Sequence, residues 1–223
     1  MQGKAKAIFF DYGGTLDADG ITWKDHFQAI YESAGVCVDQ EKFDSAFYSA
    51  DDSLTDEGLD QTSFAETLQE QVGRVLKSLG KTDFALQEII ANTFRQDTIR
   101  KIEANKAVLQ LLKKRFKLGI ISNFYGNLPA ICQELGLLPL FDIIVDSKRV
   151  GSLKPTPQIF NHALNAVGVN ADQAVMVGDS PKRDMLGAKG MGMPHILLSR
   201  QPANTCCPGD IVIREIPDLL GIL

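Results

Sequence analysis

A short apolar run, Ala7-Ile8-Phe9-Phe10, ends in Asp11, and the next run of the same kind begins only at Lys117. Both have the unalternating texture of strands buried on two faces. The roughly hundred residues between them far exceed a crossover between neighbouring parallel strands, which needs about a dozen or more. The spacing predicts a sheet protein interrupted, just after its first strand, by a separate unit.

That unit reads as helical throughout. Phe27, Ile30, Tyr31 and Ala34 follow helical spacing, as do Phe64, Leu68, Val72, Val75, Leu76 and Leu79; a third amphipathic segment carries Phe84, Ile89, Ile90 and Phe94. Gly35, Gly58 and Gly80 act as breakers. Strands then return at 117–123, 141–147, 173–179 and 194–199, with a further candidate at 210–213. Helical patterns at 105–115, 127–136, 156–168 and 183–192 separate them. This alternation implies βαβ units and a doubly wound, Rossmann-like α/β core with helices on both faces. The expected division is a discontinuous core, residues 1–16 and 101–223, and a helical cap, residues 17–100. Hinges are expected near Leu16–Gly20 and Arg100–Asn105.

In an open parallel sheet, ligands bind beyond the carboxyl ends of the strands. Those ends carry Asp11, Ser122-Asn123, Lys154 on the loop after the third strand, and Asp179 followed by Asp184. Each alone has a plain structural explanation: a turn, an N-cap, a solvated lysine, an acid in a helix's first turn. Together at one rim they form a kit for a phosphate and a divalent cation. Asp11 can attack phosphorus, while Lys154 and Ser122 neutralise and hydrogen-bond its oxygens. Asp11 and Asp179 offer the oxygen ligands that magnesium prefers.

These motifs, in this order, resemble the haloacid dehalogenase-like (HAD) superfamily, in the branch with a helical cap between its first two motifs. Asp11-Tyr12-Gly13-Gly14-Thr15 is similar to Asp-x-Asp-Gly-Thr, Ser122 to the second motif, Lys154 in Gly-Ser-Leu-Lys-Pro to the third, and Gly178-Asp179…Asp184 to the fourth. The resemblance covers essentially the whole chain. It implies a magnesium-dependent phosphohydrolase of a small phosphorylated metabolite, with Asp11 as nucleophile. Asp11, Ser122 and Lys154 would be catalytic. Gly14, Thr15, Ser122, Asn123 and Lys154 would bind substrate. Asp11, the Gly13 carbonyl, Asp179 and Asp184 would hold Mg2+.

One position departs from the pattern. The acid that phosphatases of this superfamily carry two residues after the nucleophile is here Gly13. General acid–base help is worth about 10²- to 10⁴-fold, so its loss matters most for alkyl phosphates. Several readings stand open: a substrate with a good leaving group, such as an acyl phosphate; a substitute acid from Asp17, Asp19 or the cap; dehalogenase or phosphonate chemistry, with Lys24 as a conceivable Schiff-base lysine; or a silent phosphate-binding protein. The bland reading of Gly13 is a tight turn needing positive φ, and of Asp17 a solvated hinge residue. Trp23 and His26, at the start of the cap, are candidates to face substrate.

Other classes are disfavoured. A net charge of -5 leaves no basic surface for nucleic acid. No apolar stretch is long enough to cross a bilayer, and the N-terminal run is too short for a signal peptide, so a cytoplasmic protein is expected. Cys37, Cys132, Cys206 and Cys207 show neither zinc nor disulfide spacing. There is no P-loop, dinucleotide fingerprint or serine elbow.

Overall fold

The computed structural model describes residues 4–200 and 211–223. Cys206, Cys207 and Asp210 lie outside the described residues. Six parallel strands form one sheet in the order β3-β2-β1-β4-β5-β6. They are β1 (Ala7–Phe10), β2 (Lys117–Ser122), β3 (Ile143–Asp146), β4 (Ala174–Gly178), β5 (His195–Leu198) and β6 (Ile211–Ile213). The order reverses at β1, whose neighbours are β2 on one side and β4 on the other. Asp11 therefore leaves the sheet at its topological switch point, where the crevice of a doubly wound fold lies.

Alternation along β1 feeds two separate cores, because successive side chains point to opposite faces. Ile8 and Phe10 join Leu118, Ile120, Val175 and Val177 beneath one layer of helices. Ala7 and Phe9 join Ile121, Val145 and Met176 beneath the other. The first layer holds the C-terminal half of α4 (Phe84–Lys113) and α5 (Leu128–Glu134); the second holds α7 (Pro157–Val167) and α8 (Leu186–Gly190), with α6 (Ser147–Val150) a single turn after β3. Fully buried strands on both faces explain the unbroken apolar texture of their sequences.

The insertion is helical, as expected: α1 (Trp23–Ser33), α2 (Gln40–Glu57), α3 (Phe64–Ser78) and the first half of α4. Thr22 caps α1, and Ser63 with Glu66 forms a capping box on α3, so local chemistry sets both starts. One expectation needs correction. The segments read separately as 84–94 and 105–115 are one helix of 30 residues, which runs unbroken through Arg100–Asn105. Its middle carries Thr98 and Asn105 at buried positions, so the apolar stripe is interrupted while the helix is not.

Candidate active site

Asp11 follows β1 with extended backbone and is buried. Its Oδ1 accepts from the Tyr12 backbone N–H at 2.7 Å and from Ser122 Oγ at 2.7 Å, and lies 2.8 Å from Lys154 Nζ. Oδ2 has no such partner among the described residues. One carboxylate oxygen is thus fixed from three directions and the other left available. Asn123 clamps the lysine's backbone in both directions: its Oδ1 accepts from Lys154 N at 2.7 Å, and its Nδ2 donates to Lys154 O at 3.1 Å.

Lys154 also donates to Asp184 Oδ1 at 2.6 Å, and Asp184 Oδ2 accepts from the Ser180 backbone N–H. Burial works against the lysine's charge, but Asp11 and Asp184 outweigh it and hold its pKa above the ordinary range. Asp184 is pushed up to about 6, chiefly by burial, against the opposing pull of Lys154. Asp179 is raised well above the carboxylate range by burial and then by the Asp11 and Asp184 charges. Its Oδ1 accepts from Thr15 Oγ1 at 2.9 Å, while its buried Oδ2 has no partner among the described residues.

Oxygens of Asp11, Asp179 and Asp184 lie within 4.8 Å of one another, and all three residues are buried. Three carboxylates facing the Lys154 ammonium and the Arg183 guanidinium still leave a negative excess, and the orphaned Asp179 oxygen sits within it. Such a cluster is stable at neutral pH only with protons or a cation, and its all-oxygen donor set suits a hard divalent ion. The residues present fit magnesium on both counts.

Thr15 Oγ1 is engaged by Asp179, and neither Gly14 nor Thr15 is among the residues that line the cleft. Gly14 has φ +86°, and a Cβ there would stand 2.6 Å from Asp179 Oδ2. Glycine is required here both by backbone conformation and by space. Gly13 differs: its φ of −73° and ψ of 123° are open to any residue. The positive-φ explanation therefore belongs to Gly14 and not to Gly13.

What crowds a side chain at Gly13 is Trp23. A Cβ at Gly13 would lie 3.0 Å from the indole Nε1 and 3.2 Å from Cδ1. Trp23 is held by edge contacts with Tyr12, Phe27, Phe94 and Phe124, and its Nε1 donates to Asp17 Oδ2 at 2.5 Å. Asp17 Oδ1 accepts from the Gly14 backbone N–H at 2.7 Å. Asp17 is thus buried rather than solvated at a hinge, and burial pushes its carboxyl up to about 7 against these two hydrogen bonds. Both of its oxygens are taken, and it lines a second cavity of about 320 Å³. Asp19 is likewise buried, paired with Lys101 at 2.5 Å and Arg200 at 3.3 Å.

The cleft over Asp11 has a volume of about 490 Å³. Its floor is Asp11, Gly13, Ser122, Asn123, Lys154 and Asp179. The helical insertion supplies Trp23, Lys24, Phe47, Tyr48 and Asp51. Trp23 faces the cleft, as expected. His26 does not: it lies against Phe94 and Asp97, beside the second cavity. Lys24 is 3.0 Å from Asp44 and 3.2 Å from Asp25, and these acids outweigh its burial to hold its pKa up. A Schiff-base lysine needs the opposite, a depressed pKa.

The sequence reading missed Asp51, Tyr125 and Arg183, which share this cleft. Tyr125 and Arg183 had a visible signal, since each follows a strand that ends at the site. Asp51 had none beyond an acid at helical spacing from Phe47 and Leu54.

A sequence profile of haloacid dehalogenase-like hydrolases matches residues 5–192. The chain belongs to the HAD-like hydrolase family. Among its relatives, a glyceraldehyde 3-phosphate phosphatase of Methanothermobacter thermautotrophicus is 29% identical over 213 residues, covering 88% of this chain and 86% of that protein. Haloacid dehalogenase-like hydrolase domain-containing protein 3 of Bos taurus is 36% identical over 103 residues, 46% of this chain and 41% of that protein. The matches to the Danio rerio and Mus musculus proteins of the same name span 50% and 51% of their lengths. In three dimensions, the HAD hydrolase YfnB of Bacillus subtilis, solved bound to magnesium, superposes with a TM-score of 0.64 at 21% identity, over 99% of both chains. At that identity the likeness shows the fold alone.

Proposed function

We propose that this HAD-like hydrolase is a magnesium-dependent phosphohydrolase of a small phosphorylated metabolite, working through an aspartyl-phosphate on Asp11. The observation that carries this reading is the buried constellation at Asp11: Oδ1 fixed by Ser122, Lys154 and the Tyr12 N–H, Oδ2 unpartnered, and an orphaned Asp179 oxygen beside it. The phosphatase names of several relatives agree with it.

Asp11 Oδ2 attacks phosphorus as the bond to the leaving oxygen breaks, and water then hydrolyses the acyl phosphate. Lys154 and Ser122 neutralise and hydrogen-bond the phosphoryl oxygens as charge shifts onto them. Asp11, Asp179 and the Gly13 carbonyl would hold Mg2+. Asp184, already committed to Lys154 and Ser180, keeps the lysine in place. When bound, the ion supplies charge stabilisation to the transferring group. Residues 17–100 act as a cap whose α1 and α2 close the cleft and exclude water.

The test is turnover of acyl, aryl and alkyl phosphates with and without magnesium. The expected result is magnesium-dependent turnover by wild type and none by Asp11→Asn. Magnesium-dependent binding of phosphate without turnover would establish the silent alternative instead.

A further inference from the structure

None of the carboxyls beside the first motif is placed to protonate a leaving alkoxide. Gly13 has no side chain, and the indole of Trp23 stands in the space one would occupy. Asp17 has both oxygens occupied and lines the other cavity, while Asp19 is tied to Lys101 and Arg200. Asp25 lies in the cleft rim but is paired with Lys24.

Asp51 differs from all of these. It lies on α2 at helical spacing from the buried Phe47 and Leu54, so an acid occupies the inward edge of an otherwise apolar face. It is part-buried and lines the same cleft as Asp11. The hydroxyl of Tyr125, from the loop after β2, donates to its Oδ1. Its Oδ2 has no partner among the described residues. Burying a carboxyl on such a face costs free energy that packing does not return, so its placement calls for another reason. Burial raises its pKa, with the Tyr125 hydrogen bond and Arg183 pulling the other way. Arg183 also lines the cleft, where the charges of Asp11, Asp184, Asp179 and Asp51 act on its guanidinium.

We propose that Asp51, oriented by Tyr125, is the general acid and base of this site, standing on the cap in place of the acid absent at position 13. The proposal rests on the phosphohydrolase reading above. In the first step the Asp51 carboxyl gives its proton to the leaving oxygen as the P–O bond breaks and Asp11 Oδ2 bonds to phosphorus. The alcohol departs and Asp51 is left ionised. In the second step the Asp51 carboxylate takes a proton from the water that attacks the phosphorus of the acyl phosphate. The products are inorganic phosphate, free Asp11 and a reprotonated Asp51. A cap-borne acid couples chemistry to closure, because proton transfer requires the cap to sit over the bound phosphate.

The experiment compares Asp51→Asn with wild type on an alkyl phosphate and on p-nitrophenyl phosphate, with magnesium, in rapid-mixing and steady-state assays. The alkyl phosphate should lose about 10²- to 10⁴-fold in kcat. The first turnover of p-nitrophenyl phosphate, whose leaving group needs no proton, should remain near the wild-type rate. It should appear as a burst followed by slow turnover, since the second step lacks its base. That burst also shows that the variant is folded. Equal losses on both substrates in the first turnover would overturn the proposal, as a recognition or folding role predicts. So would unchanged alkyl turnover. Absence of magnesium-dependent turnover by the wild type on either substrate would instead overturn the phosphohydrolase reading on which it rests.

Discussion

Adding a methyl group at Gly13 should destabilise the protein, and only because of Trp23. The Gly13 backbone is in a region open to alanine. Taken alone, Gly13→Ala would therefore stabilise by about 0.4–1 kcal/mol through the unfolded chain. Against this, the new Cβ would meet the indole at 3.0 and 3.2 Å, and four aromatic rings with the Asp17 hydrogen bond keep that indole from moving aside. Overpacking of this kind costs about 1–3 kcal/mol, and displacing the Trp23 N–H from the buried Asp17 carboxyl adds roughly 1–3 kcal/mol if the ring does shift. The clash outweighs the gain: overpacking alone leaves a net loss of up to about 2.6 kcal/mol, or roughly up to 10 °C in melting temperature for a chain of this size. Trp23→Phe removes the indole nitrogen that makes the closest approach. In that background Gly13→Ala should be neutral or mildly stabilising, giving a coupling of about 1–3 kcal/mol between the two positions in a double-mutant cycle read by urea denaturation. If Gly13→Ala is equally benign in both backgrounds, the packing explanation for Gly13 is wrong. The same geometry implies that Gly13→Asp will not restore alkyl phosphatase activity to Asp51→Asn without a smaller residue at position 23.

Other perturbations follow from the same site. Asp17 has a folded pKa of about 7, above the ordinary carboxylate value, so the folded state holds its proton more tightly. Its contribution is fully present below about pH 4 and is lost as pH rises towards 7, by up to roughly 4 kcal/mol; the difference in denaturation free energy between wild type and Asp17→Asn, compared at pH 5 and pH 8, should narrow or reverse at the higher pH. Magnesium at about 100 times its Kd should raise the melting temperature by roughly 5–10 °C, and Asp179→Asn should abolish most of that rise. Gly14→Ala should also abolish it while lowering stability, since the new Cβ meets Asp179 Oδ2 at 2.6 Å and the left-handed backbone adds about 1–2 kcal/mol; an unchanged magnesium response would contradict the role given to Asp179.

The parts of the site that follow from chain order were legible in the sequence. Asp11, Ser122 and Asp179 each end a strand, and the rule that parallel strands present their carboxyl ends to one crevice brings them together without knowledge of any contact. Lys154 joins them because its loop follows β3 at the same edge. What the sequence hid depends on how the insertion packs on the core. The occupation of Gly13's space by Trp23 joins residues ten apart through a ring orientation that no periodicity encodes. Asp17 is adjacent to the motif and looked like a solvated hinge, yet it is buried by Trp23. Asp51 meets Tyr125 across 74 residues of chain. The continuity of α4 was masked for a different reason: Thr98 and Asn105 occupy inward positions, and Asn105 uses its side chain to donate to Leu16 O at 2.9 Å rather than to pack. Polar groups with a structural partner of this kind break an apolar pattern without breaking the helix.

The central claim is that Asp11 carries the phosphoryl group. The most direct measurement is acid quenching of the wild-type protein during turnover of a phosphate ester with magnesium, followed by mass spectrometry of its peptides. The account predicts one added phosphoryl group on the peptide containing Asp11, dependent on magnesium and absent from Asp11→Asn. Turnover with no label on that peptide, or turnover that persists in Asp11→Asn, would contradict it.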